Sequence, residues 1–402
     1  MSSTITLAPR LTAIKSYKKL MKQYYMKAKY GCWFGKKIAW LTSGAPVEFI
    51  YTMGAIPVYP ENHGAICGAS KMATDLCLAA ESVGYSQDLC SYMRSDIGSS
   101  LSGRSPIGGL PRPDFLVCCN NICGTVLKWF QIQSRYYNVP LFIIDTPFIH
   151  HELESHTTDY VKSQLEDFIL FLEKQTRRKF KLSALTQVMQ LAQEGMALWH
   201  DILYLNQHRP APMTCFDAFV YMAPIVTLRG TQKMNAFYIE LKKELEQRID
   251  QSVGAISEER YRLLWDNIPI WYEMRNLSEI FASFGVNLVA DTYTTAWAFG
   301  KLDLNNPVES LAETYANVYL NRGVELMTKN FIGLMDDFSV DGFVMHSNRS
   351  CKPYSLGQYD MKRLATKKTG KPGLIIEADM TDSRVFFDAQ TKTKIAAFIE
   401  ML

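Results

Sequence analysis

The sequence has neither a strong net charge nor a long apolar run. Its 43 basic and 40 acidic residues leave a formal net charge of +3 in 402 residues. Nucleic-acid-binding domains usually carry a clustered basic excess, so we expect no nucleic-acid partner. No segment reaches the roughly 18 apolar residues of a membrane span, and residues 1–24 lack the apolar core of a signal peptide. These absences predict a cytoplasmic protein without a membrane partner.

Several catalytic and ligand-binding motifs are also missing. There is no Walker A sequence and no GxGxxG after a strand, so we expect that this chain binds no nucleotide. HExxH and GxSxG are absent as well. The nine cysteines include no close CxxC pair. An odd number of cysteines in a reducing compartment argues against a disulfide framework.

What the sequence does contain is a globular composition, with 48% hydrophobic and 21% charged residues. Short apolar runs alternate with helical periodicities at both ends of the chain, which is typical of parallel α/β sheets. Between them, long helical periodicities dominate. We predict an α/β fold with two related flavodoxin-like or Rossmann-like parallel-sheet domains, residues 1–151 and 260–402, around a helical middle section, residues 152–259.

The strand and helix predictions follow from these periodicities. Strands are predicted at 38–42, 56–59, 115–119, 141–144, 262–265, 286–290, 342–345 and 373–377, with 115–119 and 141–144 buried. Helices are predicted at 8–30, 47–53, 70–83, 121–137, 159–174, 183–203, 232–251, 308–336, 355–368 and 388–401. The Ser-, Gly- and Pro-rich stretch 98–113 predicts a loop.

The two ends of the chain share a weak sequence echo. The strand 115–119 and the strand 342–345 are each followed by Asn-x-x-Cys and a helix start, at Cys123 and Cys351. Open α/β sheets bind ligands at the carboxyl edge of their strands. Helix N-termini also lower the pKa of thiols, which favours thiolate ligands. The echo therefore indicates two related halves that each present a cysteine at the ligand-binding edge.

Cys90 resembles these two cysteines in its surroundings, because all three lie among polar residues near predicted loop-to-helix junctions. A three-cysteine metal site is one interpretation, although spacing alone is a weak signal for it. The other six cysteines are expected to be small buried hydrophobes. They are Cys32, Cys67, Cys77, Cys118, Cys119 and Cys215.

Two polar residues follow predicted strands in the first half. Ser43 lies in a turn between a strand and a helix, where its hydroxyl and nearby N–H groups could bind an anion or a carbonyl. A plain helix cap is the other interpretation. Glu61 follows the second strand and is either an acid, base or hydrogen-bonding anchor, or a solvated loop carboxylate.

A set of segments, taken in order, resembles one family. The segments are TSGAPVE (42–48), YPEN (59–62), YSQDLCSY (85–92), NNIC (120–123), KW (128–129), FGVN (284–287), NRSCK (348–352) and EAD (377–379). They resemble the radical 2-hydroxyacyl-CoA dehydratases and the ATP-dependent (class I) benzoyl-CoA reductases, over nearly the whole chain.

This resemblance implies a cofactor and a set of site residues. The cofactor is a [4Fe–4S] cluster held by Cys90, Cys123 and Cys351, whose fourth iron has a ligand from outside the protein. An open iron can act as a Lewis acid as well as pass electrons. Ser43 would hydrogen-bond the thioester region or the hydroxyl of the substrate, and Glu61 would be an acid/base or orienting carboxylate.

The resemblance also implies the reaction and the partners. The stretches 43–48, 61–65 and 123–129 favour a benzoyl-CoA reductase-like subunit, which passes low-potential electrons to an aromatic acyl-CoA and reduces its ring to a cyclic dienoyl-CoA through a ketyl-type radical. The alternatives are a radical 2-hydroxyacyl-CoA dehydratase, an electron-relay subunit without a substrate site, and a cluster-free α/β binding protein.

The implied partners are an acyl-CoA substrate, a homologous sister cluster subunit, ATP-hydrolysing activator subunits with their own cluster, and a ferredoxin-type electron donor. A cluster of this kind also implies oxygen sensitivity and an anaerobic setting. Because the chain has no nucleotide-binding loop of its own, ATP would be used by the activator.

Overall fold

A computed structural model describes residues 5–402, and its eight strands form two parallel sheets of four. The strands are β1 (Ile38–Leu41), β2 (Ile56–Val58), β3 (Phe115–Cys119), β4 (Leu141–Ile144), β5 (Tyr261–Asp266), β6 (Val286–Asp291), β7 (Gly342–Asn348) and β8 (Gly373–Ala378). The first sheet has the order β2-β1-β3-β4 and the second the order β6-β5-β7-β8. The two sheets therefore share one topology, and the predicted α/β fold with two parallel sheets is confirmed.

Helices connect the strands and form the middle of the chain. The first half contains α1 (Ile14–Tyr30), α2 (Val47–Thr52), α3 (Pro60–Ala69), α4 (Ala73–Glu81), α5 (Ser91–Ser102) and α6 (Gly124–Tyr137). The middle contains α7 (Ser155–Thr176), α8 (Leu182–Tyr204), α9 (Cys215–Tyr221), α10 (Ala223–Thr227) and α11 (Gln232–Asp250). The last part contains α12 (Met274–Ser283), α13 (Thr292–Thr295), α14 (Pro307–Ala316), α15 (Val324–Asp337), α16 (Lys352–Ser355), α17 (Gln358–Thr369) and α18 (Asp388–Ile399).

The middle helices cover one face of the first sheet. Side chains alternate along a strand, so Ala39 and Leu41 of β1 point to one face and Trp40 to the other. Leu41 shares a buried apolar core with Phe168 of α7 and Trp199 of α8. The helices thus bury an apolar face that the sheet would otherwise expose.

A second apolar core joins the two sheets. It contains Leu116 of β3 and Trp129 of α6 from the first half, together with Phe343 and Met345 of β7. The opposite face of the second sheet, which includes Trp265, packs in a third core against α12 and α18. The division of the chain at residues 151/152 and 259/260 stays a prediction, while the core itself is continuous between the halves.

Several local predictions are wrong. The stretch predicted as a loop from residue 98 is still helical as far as Ser102, at the end of α5. Residues 60–69 form α3, whereas the prediction placed a helix only over 70–83. The first helix begins at Ile14 instead of residue 8, and Leu7 forms an isolated bridge with Ile256. Strand β4 is at the edge of its sheet and is half-exposed rather than buried.

Among residues 5–402, no helix has both the length and the apolar character that crossing a bilayer requires.

Candidate functional site

One cavity of about 780 Å³ contains all five side chains that the sequence singled out. Ser43, Glu61 and Cys123 follow β1, β2 and β3, which are neighbours in the first sheet. Cys351 follows β7 of the second sheet, and Cys90 precedes α5. Because parallel strands place their carboxyl ends at one edge, four of the five residues reach the cavity from such an edge.

Ser43 and Glu61 contact each other directly. The backbone N–H and the hydroxyl of Ser43 both donate hydrogen bonds to the Glu61 carboxylate. Glu61 lies in the first turn of α3 and not in a solvated loop. Burial raises the pKa of Glu61 to about 7, although the two hydrogen bonds lower it. Near neutral pH this carboxyl group can therefore both accept and release a proton.

The turn that carries Ser43 is fixed by a close approach at Gly44. The Nδ2 group of Asn121 donates to the Gly44 carbonyl at 3.0 Å and to the Tyr315 carbonyl at 2.7 Å. A Cβ atom at position 44 would come within 2.3 Å of Asn121 Oδ1, so a larger residue requires a shift. This contact ties the turn after β1 to the loop that carries Cys123.

Each of the three cysteines stands immediately before a helix. Cys90 precedes α5, Cys123 precedes α6 and Cys351 precedes α16. Their sulfur atoms accept hydrogen bonds from backbone N–H groups in the first turns of these helices, including those of Met93 and Tyr354. All three thiols thus point to where free helix N–H groups are concentrated.

The thiol pKa values differ from the sequence expectation. Burial raises the pKa of Cys90 and Cys123, and it raises that of Cys351 to about 12. The neighbouring thiols raise the pKa of Cys90 further, since Cys123 and Cys351 are close to it. The predicted lowering at helix N-termini is therefore wrong for the thiols themselves, because burial outweighs the N–H donors.

The remaining cysteines lie outside this cavity. Cys67, Cys77, Cys118, Cys119 and Cys215 are buried, as predicted. Cys32 is exposed, so the prediction of a buried hydrophobe is wrong for it. Its position in a short 3₁₀ turn after α1 places it at the surface.

The donor set suits an iron–sulfur cluster better than a single metal ion. Within residues 5–402, no three His, Cys, Asp or Glu side chains converge on one ion. A [4Fe–4S] cluster instead bonds each cysteine to a different iron, so its ligands stand apart. Three thiols from three segments, with N–H groups donating to the sulfur atoms, fit such a cluster.

Three aromatic residues at the cavity were not singled out from the sequence. Trp271 Nε1 donates to the Tyr92 hydroxyl at 2.5 Å, and the hydroxyls of Tyr92 and Tyr293 hydrogen-bond to each other. Trp271 and Tyr293 follow β5 and β6. The edge rule that selected Cys351 after β7 applies equally to these two strands and would have found them.

Together, the fold and the site define a class: a two-sheet α/β protein with a cysteine-lined cavity at the carboxyl edges of its strands. The chain belongs to the family described as 2-hydroxyglutaryl-CoA dehydratase, D-component, which matches residues 42–402. The family-level resemblance drawn from the sequence is thereby confirmed.

Individual relatives cover almost the whole chain. The (R)-2-hydroxyisocaproyl-CoA dehydratase alpha subunit of Clostridioides difficile is 36% identical, over 95% of this chain and 94% of its own length. The lactoyl-CoA dehydratase alpha subunit of Anaerotignum propionicum is 31% identical, over 92% and 91%. A benzoyl-CoA reductase subunit of Thauera aromatica is 30% identical, over 91% and 89%.

Proposed function

We propose that this chain is a subunit of a 2-hydroxyacyl-CoA dehydratase, which removes the C2 hydroxyl and a C3 hydrogen as water and leaves an enoyl-CoA. Family membership supports an enzyme subunit that acts on an acyl-CoA. One observation supports placing this function at the cavity. The Ser43–Glu61 pair and the three cysteines line the same cavity, so a polar proton-binding group faces the thiols.

The ring reductase that the sequence favoured is the second candidate. One relative carries the reductase name, and the cavity has aromatic walls. Four relatives at 27% to 36% identity carry dehydratase names, so the dehydratase alternative is the better supported of the two. The polar Ser43–Glu61 pair argues against an electron relay without a substrate site.

The proposed cofactor is a [4Fe–4S] cluster on Cys90, Cys123 and Cys351, with a fourth iron bound by a non-protein ligand. Such a cluster would supply single electrons at low potential and an open coordination position. The proposed partners are a homologous sister subunit, an ATP-hydrolysing activator with its own cluster, and a ferredoxin-type donor. The activator would supply the ATP chemistry for which this chain has no motif.

The residues of the chain would bind and protonate the substrate. The Ser43 N–H fixes the orientation of the Glu61 carboxyl group. The Ser43 hydroxyl, which lies beside this group, would hydrogen-bond the thioester or the hydroxyl of the substrate. Glu61 would hold the proton that the departing hydroxyl group takes up to become water. Tyr92, Trp271 and Tyr293 line this part of the cavity with aromatic rings.

The test is an anaerobic assay of the chain with its native partners, ATP and a strong reductant. We expect conversion of a 2-hydroxyacyl-CoA to an enoyl-CoA after catalytic ATP priming, and about four irons per chain. Conversion of benzoyl-CoA to a diene with steady ATP consumption would establish the ring reductase instead. Iron without either reaction would favour the electron relay.

A variant tests the role of Glu61. Glu61→Gln keeps an oxygen that accepts the Ser43 N–H but cannot hold a transferable proton, so we expect the turnover number to fall by about a hundredfold or more. Iron content and the affinity for a non-reactive thioester should stay unchanged. Glu309→Gln removes an exposed carboxylate paired with Lys162 and serves as control. Turnover within about twofold of the wild type would contradict the role.

A further inference from the structure

We infer that the acyl group bound in this cavity is a bulky apolar one, branched aliphatic or aromatic, and not one that ends in a second carboxylate. The inference rests on the proposed function and specifies its substrate. It is carried by an aromatic wall that lines the cavity. The wall consists of Phe219, Trp271, Tyr293, Trp297 and Phe299.

The aromatic wall begins next to the proposed reactive groups. The Tyr293 ring lies 6.3 Å from the Phe219 ring and 6.4 Å from the Trp271 ring. Burial raises the pKa of Tyr293, and the nearby Glu61 carboxylate raises it further. If the C2 atom of a bound acyl group lies beside Glu61, the carbon atoms further along the acyl chain would therefore contact these rings.

The cavity offers no buried cation for a terminal carboxylate. Within the described chain, its basic lining residues are Lys71 and Arg275, and both are exposed at the rim. Arg275 is also paired with Glu279 at 2.7 Å. A carboxylate among the rings would lose its hydration without gaining a counter-ion, and it would lie near the acidic Glu61.

One buried cation, Arg229, contacts the aromatic wall and is already paired with a carboxylate. Its guanidinium group is 5.6 and 5.2 Å from the ring centroids of Trp297 and Phe299. It pairs with Glu48 at 3.0 Å and donates to the Tyr315 hydroxyl at 2.6 Å. Arg229 does not line the cavity, and its charge is compensated by Glu48, so it offers a ligand in the cavity no direct ion pair.

The test measures affinity rather than turnover. Calorimetry on the full chain, purified without oxygen, would compare four thioesters without a 2-hydroxyl group: propionyl-, 4-methylpentanoyl-, 3-phenylpropionyl- and glutaryl-CoA. We expect the 4-methylpentanoyl and phenylpropionyl thioesters to bind about tenfold or more tightly than propionyl-CoA, because a hydrophobic pocket gains at least about that much from added apolar groups. Glutaryl-CoA should bind at least about tenfold more weakly than 4-methylpentanoyl-CoA, because its carboxylate is desolvated without a partner.

Trp297→Ala should weaken the binding of 3-phenylpropionyl-CoA by about tenfold and leave the binding of propionyl-CoA unchanged. Trp33→Ala removes a tryptophan that is 76% exposed and outside the cavity lining, and is the matched control. The wild-type series decides the question even if the variant does not fold.

The outcomes separate the inference from the proposed function. Equal or tighter binding of glutaryl-CoA, or no gain over propionyl-CoA, would overturn the inference alone. A folded chain that binds none of the four thioesters would overturn the assignment of this cavity to an acyl-CoA, and the inference with it.

Discussion

Cys123 lies at the point where β3 gives way to α6, and the proposed cluster depends on it as on its two counterparts. Cys123→Ser replaces a soft thiolate with a hydroxyl that rarely ionises, so we expect iron to fall well below the roughly four atoms per chain of the wild type. Iron analysis and visible absorbance after anaerobic purification would measure this. Cys32→Ser, at an exposed position, should keep its iron.

A full complement of iron in Cys123→Ser, with unchanged absorbance, would contradict the proposed ligand set. The same substitution at Cys90 and Cys351 should give the same loss, since each sulfur is expected to bind a different iron.

Asp96 makes the stability of the fold depend on pH. Its carboxylate accepts hydrogen bonds from Trp129 Nε1 at 2.7 Å and from Gln133 Nε2 at 2.5 Å. Burial nevertheless raises the pKa of Asp96 from 3.8 to about 6. The folded chain thus binds this proton more tightly than the unfolded chain, so its contribution to stability is lost as pH rises from 3.8 to about 6.

Comparison with Asp96→Asn removes the contributions of titrating groups far from Asp96, which are present in both proteins. His63 Nδ1 is 4.0 Å from Asp96 Oδ1, so the difference belongs to this pair of groups. Relative to the variant, the wild type should lose about 2 kcal/mol of unfolding free energy between about pH 4 and about pH 7. Urea midpoints across this range would measure it. A difference that does not vary with pH would show that the Asp96 pKa is not raised.

At the scale of elements, helices α4 and α5 pack so closely that one position tolerates no side chain. A Cβ atom on Gly98 of α5 would lie 1.9 Å from the Leu76 carbonyl oxygen of α4. Gly98→Ala should therefore push the helices apart and destabilise the protein by about 1–3 kcal/mol. Because α5 begins after Cys90, iron content should fall as well.

Gly333→Ala supplies the matched control. Gly333 lies inside α15, and an added Cβ atom there has no neighbour within 4 Å. Alanine forms helices better than glycine, so this variant should gain up to about 1 kcal/mol. Thermal unfolding would compare the two variants. Equal effects on the melting temperature would contradict the packing argument.

Apolar runs, helical periodicity and close packing explain which helices and strands the sequence predicted and which it missed. All eight strands were found because each contains a short apolar run, and the long helices α7, α8 and α11 were found from their periodicity. Helix α3 was missed because it is buried on several sides, with His63, Ala65 and Cys67 all inside, and so has no polar face to create a period. Helix α5 was not among the predicted helices, and its end, Gly98–Ser102, was predicted as a loop because the small residues that permit close packing are also typical of loops.

At the scale of the whole molecule, the core shared by the two sheets should make them unfold together. Phe343 of β7 is fully buried and belongs to the same core as Leu116 of β3. Phe343→Ala should cost about 3–5 kcal/mol and reduce amide protection in both sheets. Hydrogen exchange with mass spectrometry would measure both. Loss confined to the second sheet would show that the halves are independent.

A control variant at the surface tests whether the loss of amide protection comes from the shared core or from any truncation of an apolar side chain. Leu170→Ala truncates a leucine on α7 that is 65% exposed, so we expect little change in protection. A comparable loss in this variant would show that the effect of Phe343→Ala does not depend on the shared core.

The site was predictable to the extent that it follows from strand ends within one sheet. Ser43, Glu61 and Cys123 follow neighbouring strands, and their residue types signalled polar chemistry. The approach of Cys351 to Cys90 depends on how the second sheet packs against the first, which residue spacing does not determine. The three cysteines were singled out by their polar surroundings near predicted helix starts, and the family resemblance then implied that they bind one cluster. In the aromatic wall, Trp271 and Tyr293 follow strands and could have been found by the same rule, whereas Phe219, Trp297 and Phe299 do not directly follow a strand.

The cavity walls are drawn from almost the entire length of the chain, from Tyr17 in α1 to Met380 after the last strand. During synthesis on the ribosome, the first half emerges long before β7 and β8 exist to close the cavity. The cavity is therefore not enclosed until these later segments have been synthesised. Cys90 and Cys123 precede Cys351 by more than 200 residues, so the proposed cluster would lack its third cysteine until then.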